Sequence, residues 1–416
     1  MRILKLAGYY NPEQVASSHL SRDLAEAYRQ AGFSELVYAP TPTRGVDAAT
    51  RREYSRHRKH EVLENGRVEV CRFAMLREGR NPLQRAFRYF CCLLRQTVNG
   101  LRARNCDVLM LSSTPPINGL MMPVLRRHKR YKIVYNLQDI FPDSLVNTGM
   151  TRKGSLLWRI GRRIEDKAYR AADKILTISE GFKANIVAKG VPEDKIVVIP
   201  NWVDEAAVVS VERADNPLFD RYGLERDRFY VCYSGNVGHT QNMPLLVEVA
   251  QRLQAHPDIG IVVVGDGAFK PRLEALIAEK GVKNITLLPF QDYSEISCVF
   301  SLGNVGLLIS KKGIGVSSVP SKTWSILSAS RPVLASFDTD SELCGMLREI
   351  GCGVCVPPDD AQALTQAILT MAAERAQNEA MGARGRRYIE ENLTKALCTG
   401  KYVQLLREVT GTPAEA

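Results

Sequence analysis

The sequence predicts two α/β domains, each a doubly wound parallel sheet flanked by helices. Three observations carry that expectation. Apolar runs bounded by turn residues alternate with helix-spaced segments along the chain. At 416 residues the chain is too long for one hydrophobic core and suits two. The charge also divides. Residues 1–200 hold 35 Lys and Arg against 19 Asp and Glu, a net of +16, while residues 201–416 hold 21 against 26, a net of −5.

The elements follow in order. The chain opens on the strand-like run Ile3–Leu6, with no signal peptide read ahead of it. Further apolar runs lie at 108–111, 132–137, 174–178 and 196–199. Residues 201–228 are charged and irregular and read as a linker. The second half adds runs at 230–233, 259–264, 285–288, 305–309 and 332–335, with helical spacing at 245–253 and 271–279. Strands joined through helices form parallel sheets, because a parallel partner needs a long crossover. Residues 379–409 are helical in pattern, and the helix 395–410 is expected to fold back on the first domain.

Composition narrows the class. Apolar content of 45% and charged content of 24% are ordinary for a soluble globular chain. No apolar stretch reaches the roughly 18–20 residues that span a bilayer. The ten cysteines include one C-x-x-C, Cys352 and Cys355, and no second pair at zinc spacing. They read as core thiols of a cytoplasmic protein, reduced there. The stretch Arg77–Arg104 interleaves seven arginines with Phe87, Phe90, Leu93, Leu94 and Val98. It fits a helix on an anionic membrane surface, or a helix packing its apolar side on its own sheet. Both readings stay open here.

Two stretches carry the chemistry. In Val231–Met243, a strand runs into Ser234-Gly235-Asn236-Val237-Gly238 and then a helix. A glycine turn lets backbone N–H groups approach a phosphate, and the following helix N-terminus adds partial positive charge. In Gly315–Ser336, Pro320-Ser321 precedes Lys322 at a helix start. A lysine there neutralises a diphosphate, and the Ser321 hydroxyl can cap or donate. Each stretch alone reads as an ordinary strand–turn–helix. Together they point to a nucleotide-sugar site. Gly265-Asp266-Gly267 ends another strand as a tight turn at the same edge. The donor-binding candidates are Ser234, Gly235, Asn236, Gly238, Gly265, Asp266, Phe290, Ser318, Ser321, Lys322 and Ser325. In the first half, ligand-side loops follow parallel strands at their carboxyl ends. They hold Asn11, Glu13, Ser17, Ser18 and His19 as acceptor-side candidates, and Asp139 just past strand 132–137. Asp139 could orient or deprotonate an acceptor hydroxyl, or cap the next helix.

These residues resemble the family-4 retaining glycosyltransferases of the GT-B fold, in the branch that builds bacterial O-antigen, capsule and exopolysaccharide. The marks are Tyr10-Asn11-Pro12-Glu13, Gln138-Asp139-Ile140-Phe141-Pro142-Asp143, Ser179-Glu180-Gly181-Phe182, Pro200-Asn201-Trp202-Val203-Asp204, Tyr233-Ser234-Gly235-Asn236, Gly265-Asp266-Gly267 and Pro320-Ser321-Lys322. The resemblance implies two Rossmann-like domains with a cleft between them. Residues 1–200 would bind the acceptor and 201–394 the nucleotide-sugar. It implies transfer with retention, catalysed with Asp139 and Lys322, and no metal or other cofactor. Three departures stand out. Ser317 and Ser325 occupy the places of two family glutamates. Val15-Ala16-Ser17-Ser18 replaces a glycine pair, and His239-Thr240-Gln241 replaces a basic residue.

The expected partners are a UDP-sugar donor, a polyprenyl-diphosphate-linked acceptor and an anionic membrane surface, with no nucleic acid. The expected location is peripheral, on the inner face of the cytoplasmic membrane. Two alternatives are a UDP-sugar epimerase, using Asp139, Glu13 and His19, and a non-catalytic binder of anionic polymer.

Overall fold

In each half of the chain, short apolar strands line up in parallel because helices carry the chain back over the sheet face. The computed structural model describes residues 1–13, 18–77, 81–147, 149–314 and 320–413, without the side chains of Ser18, Pro82 and Asn147. It divides into two units, Met1–Pro200 with Ala396–Ala416, and Asn201–Lys395.

The first unit holds β1 (Arg2–Leu6), β2 (Ser34–Pro40), β3 (His60–Leu63), β4 (Val68–Phe73), β5 (Val108–Ser112), β6 (Lys132–Leu137), β7 (Lys174–Thr177) and β8 (Ile196–Val198). They form one sheet in the order β3-β4-β2-β1-β5-β6-β7-β8. All pairs are parallel except the β3–β4 hairpin. The strand order reverses at β1, which pairs with β2 on one side and β5 on the other. Ligands of such sheets bind beyond the carboxyl ends of the strands at that reversal.

The hairpin strands and β2 are absent from the apolar runs of the sequence, and the reason is their charge. Lys5 pairs with Glu35 and Arg2 with Glu69. Arg72 Nε donates to Glu61 Oε2 at 3.0 Å. Charges paired across strands read as loop in a sequence and lie within strands here.

The second unit holds β9 (Phe229–Ser234), β10 (Ile259–Val264), β11 (Ile285–Leu288), β12 (Val305–Ile309), β13 (Val333–Ser336) and β14 (Gly353–Val356). Its sheet runs β11-β10-β9-β12-β13-β14 and is wholly parallel. Phe229, Val231, Tyr233, Ile261, Val263 and Leu307 are buried on one face beneath the helices Met243–Arg252 and Ala361–Ala373. The order reverses between β9 and β12, so the turns after these two strands share one sheet edge.

The stretch 201–228 is not a free linker. Asn216 is buried, caps the helix Pro217–Arg221 and donates from Nδ2 to Cys298 O at 2.8 Å. Ser328 Oγ donates to Val208 O at 2.6 Å, and Val211 N to Ser301 Oγ at 2.9 Å. Its polar groups are used inside the second unit, which is why it looks irregular in sequence. The C-terminal helix Lys395–Thr410 buries Tyr402, and Arg407 stacks 5.5 Å over Phe33 of the first unit.

One cysteine expectation is corrected. Cys344 and Cys355 form a disulfide, with 5.8 Å between their Cα atoms, instead of two reduced core thiols. The helix Glu342–Ile350 packs directly before β14, which brings these two together and leaves Cys352 as a buried free thiol.

Candidate functional site

The glycines after β9 and β10 are there because nothing larger fits. Gly235, Gly265 and Gly267 have φ of 135°, 150° and 159°, a region open to glycine. A Cβ on Gly265 would lie 2.0 Å from Gly235 O, and one on Gly267 would lie 2.3 Å from Val237 O. The two turns are sewn together by their backbones. Gly235 N donates to Val264 O at 2.9 Å and Val237 N to Asp266 O at 2.8 Å. Lys270 Nζ donates to Gly265 O at 3.2 Å.

This stitching corrects one expectation. The four amides of Gly235–Gly238 do not all face a ligand. Gly238 N donates to Gln241 Oε1 at 3.1 Å, which leaves the Asn236 N–H as the amide without a hydrogen bond among the described residues. Tyr233 OH donates to Asn236 O at 2.7 Å and fixes that peptide. Asp266 is exposed, but its Oδ1 accepts from Gly267 N at 2.8 Å, so its carboxylate serves its own turn.

Lys322 comes into this turn from the other side of the reversal. Its Nζ lies 3.8 Å from the centre of the Tyr233 ring, and 3.3 Å from where a Cβ on Gly235 would stand. Among the described residues no carboxylate pairs with it. Burial pushes its ammonium down to about 7, and only the Cys232 thiol pulls it the other way. Lys322 is half-buried, and an ammonium there without a carboxylate partner among the described residues favours an anion that completes it. Ser321 is exposed and precedes the helix Lys322–Ser328, but makes no side-chain cap bond. Ser325 is half-buried on that helix, and Phe290 after β11 is 76% exposed. Ser317 and Ser318 lie outside the described residues.

Two carboxylates not singled out in the sequence reading fix the loop after β12. Asp338, after β13, accepts from Gly313 N at 2.9 Å. Asp359, after β14, accepts from Lys312 N at 3.4 Å and from Asn242 Nδ2 at 2.5 Å. Asp359 has φ of 61°, and Pro357-Pro358 before it marks a turn that sequence could have flagged.

In the first unit, Asp139 follows β6 at the carboxyl edge. Its carboxyl is pushed up by burial, against hydrogen bonds from the Ser144 side chain and the Ile140 amide. It lines a narrow recess together with Ser113, Tyr135 and Glu165. Glu165 is also pushed up by burial, despite Lys189, Tyr169 and Arg162. The recess thus joins a carboxyl that is exposed at its rim, Asp139, to a buried one, Glu165.

Glu13 needs correction. It is buried and accepts from Thr43 N at 2.7 Å and Arg44 N at 2.9 Å. Its Oε1 holds the loop after β2, while Oε2 accepts from Tyr10 N at 3.5 Å. Arg88, read as part of a basic surface, is 1% exposed. It donates to Leu76 O at 3.1 Å, Tyr9 OH at 3.4 Å and Thr43 Oγ1 at 3.2 Å. Asn11 is exposed, and its carbonyl accepts from Arg72. His19 is half-buried in the helix Ser18–Gln30. Ser17 and the Ser18 side chain lie outside the described residues. Among the described residues, His60, Glu69 and Cys71 could share a metal ion, but they sit on the β3–β4 hairpin and Glu69 already pairs with Arg2.

Comparison with known proteins bears on the two units. Residues 18–202 match the glycosyl transferase 4-like domain, and residues 215–388 match the glycosyl transferases group 1 domain. WcaI of Escherichia coli (strain K12), whose name assigns it to colanic acid biosynthesis as a glycosyl transferase, is 29% identical over 252 residues. That match covers 59% of this chain and 61% of WcaI, so the chain spans about three fifths of this relative's length. WbjE of Pseudomonas aeruginosa, named as a glycosyltransferase, is 26% identical over 306 residues, 74% of this chain and 76% of its own. Anabaena HepE in complex with UDP superposes with a TM-score of 0.71 at 16% identity, over 98% of this chain and all of that one. Sucrose-phosphate synthase from Thermosynechococcus elongatus gives 0.79 at 16% identity, over 99% of this chain and all of that one. The fold is thus that of GT-B enzymes, two α/β domains with parallel sheets. The chain thus carries a glycosyl transferase 4-like domain ahead of a glycosyl transferases group 1 domain.

Proposed function

We propose that the chain moves a sugar, with retention, from a UDP-sugar to a polyprenyl-diphosphate-linked saccharide in bacterial surface polysaccharide synthesis. One observation carries the donor half. The Lys322 ammonium, which has no carboxylate partner among the described residues, lies against Tyr233 and Gly235, and the next residue, Asn236, keeps an N–H without a hydrogen bond among those residues. Such a pair of donors suits the oxygens of a diphosphate, whose charge grows as it leaves. The names of WcaI and the UDP complex of HepE support polysaccharide synthesis and a UDP donor.

In this reading the bond from the anomeric carbon to the diphosphate oxygen breaks. The acceptor oxygen bonds to the same carbon from the same face. Its proton passes to the departing phosphate, and Asp139 positions the hydroxyl. No metal is needed, because Lys322 supplies the positive charge. The epimerase alternative loses one of its three groups, since Glu13 is committed to the amides of Thr43 and Arg44.

The test is turnover of Lys322→Ala with UDP-sugars and membrane-extracted lipid acceptor. Loss of one such donor lowers turnover by about 10²–10³. Near-normal turnover in a folded variant would remove Lys322 from the site. A sugar isomer formed without acceptor would favour the epimerase.

A further inference from the structure

The helix Pro82–Arg102 buries polar Arg88, Gln96 and Asn99 alongside Cys92 and Leu93. Its inner face carries polar side chains that serve the ligand-edge loops of the first unit. Arg88 holds Tyr9 and Thr43, while Gln96 Nε2 donates to Ala7 O at 2.8 Å and Tyr38 O at 2.9 Å. Its outer face carries Leu83, Phe87, Phe90, Leu94, Val98 and Leu101, from 36% exposed at Leu101 to 78% at Leu83. The spacings of 4, 3, 4, 4 and 3 residues put all six on one stripe. The stripe is about 27 Å long, at about 1.5 Å per residue. A run of exposed large apolar groups of this length marks a contact surface and not scattered surface hydrophobics.

Charge selects the occupant. Arg85, Arg95 and Arg102 are exposed on the same helix, which has no Asp or Glu in its 21 residues. Between Arg77 and Arg104 the one acid in the sequence is Glu78. A second copy seated on this stripe would bring guanidinium groups against guanidinium groups with no carboxylate to separate them. A bilayer of anionic lipid gives the apolar side chains hydrocarbon and the arginines phosphate. A neighbouring segment repeats the chemistry. At the start of the helix Leu156–Ala171, Leu156, Leu157 and Ile160 are exposed beside Arg159. The short helix Met121–His128 packs against both of these helices.

We infer that the outer face of the helix Pro82–Arg102 docks the chain on an anionic membrane, with Leu83 through Leu101 entering the acyl boundary and the flanking arginines meeting lipid phosphates. Among the described residues no helix is long and apolar enough to cross a membrane. The inference deepens the reading above, on which it rests for its biological sense. Its consequence is geometric, because one helix then touches lipid outside and sets the loops after β1 and β2 inside.

The test is sedimentation of the full chain with vesicles of phosphatidylcholine mixed with phosphatidylglycerol, and with neutral phosphatidylcholine vesicles. The parent is expected to bind the anionic vesicles, and less as salt rises. The exposed double variant Phe87→Gln with Leu94→Gln is expected to bind at least about tenfold more weakly, because two apolar groups no longer enter the bilayer. Its UDP-induced shift in melting temperature should stay unchanged. Vesicle binding equal to the parent's would overturn the proposal. So would a parent that is a stable dimer in light scattering and a double variant that is a monomer, since the stripe would then cover a second copy. Neither readout uses a sugar donor, so absent transferase activity with intact vesicle binding would sink the functional reading and leave the docking face standing.

Discussion

The turn after β9 and the loop after β1 occupy the same topological place, the strand-order reversal of their sheets, yet they are held in opposite ways. The β9 turn is held by backbone. Gly235 and Gly265 let two turns touch, and Val264 O and Asp266 O accept the bonds that close them. The β1 loop is held by buried charge. Glu13 takes the amides of residues 43 and 44, and Arg88 reaches Tyr9, Thr43 and the carbonyl of Leu76. A backbone-held turn presents one fixed surface and suits an invariant group such as a diphosphate. A loop held by long side chains can change shape by substitution at its tips, which suits a variable acceptor. The difference teaches where each half of the site draws its rigidity.

The largest expected effect comes from breaking the backbone closure. Gly265→Ala places a Cβ against Gly235 O at a φ other residues avoid. It should cost more than about 2 kcal/mol of stability and abolish UDP binding, read by thermal melts with and without UDP. A variant that melts and binds like the parent would show that the two turns are not one unit.

Next in size is the pH dependence of donor binding. Desolvation pushes the Lys322 ammonium down to about 7 in the free protein, and a bound diphosphate is expected to raise it. Binding therefore needs the protonated form, which is fully present below that value and is lost as pH rises through it. UDP affinity should fall by up to about tenfold per pH unit above about 8, with a proton taken up on binding. Calorimetry in buffers of different ionisation enthalpy measures that uptake, and a pH-independent affinity would argue against the charge pairing.

A smaller effect, confined to the first unit, is expected from Glu13→Gln. It weakens charge-assisted bonds to two amides and should lower stability by about 1.5–3 kcal/mol. The apparent KM for acceptor should rise while UDP binding is unchanged. Equal changes toward donor and acceptor would erase the proposed division of labour. The smallest effect, none at all, is expected from EDTA. Activity lost on chelation and restored by magnesium or manganese would show that Lys322 does not suffice.

The same comparison explains what the sequence could and could not show. The turns at Gly235 and Gly265 and the helix start at Lys322 are legible as local structure, because a turn between an apolar strand and a helix states its own geometry within a few residues. Glu13 and Arg88 are hard to read from sequence because the partners that bury them, Thr43, Arg44 and Tyr9, lie 30 to 79 positions away. A buried arginine in a basic helix looks like its exposed neighbours until the loops it serves are in place. Strands β2, β3 and β4 were hidden by charges that pair only across the sheet. The pairing of Cys344 with Cys355 depended on how the helix Glu342–Ile350 meets β14, which no spacing specifies.

The central claim is that Lys322 and the β9 turn hold the diphosphate of the donor. The most direct measurement compares the affinities of UDP and uridine in the parent and in Lys322→Ala. The parent should prefer UDP strongly. The variant should keep its affinity for uridine and lose about tenfold or more for UDP, because a charge-assisted contact contributes on the order of 1.5–3 kcal/mol. An unchanged ratio of UDP to uridine affinity in a folded Lys322→Ala protein would contradict the account.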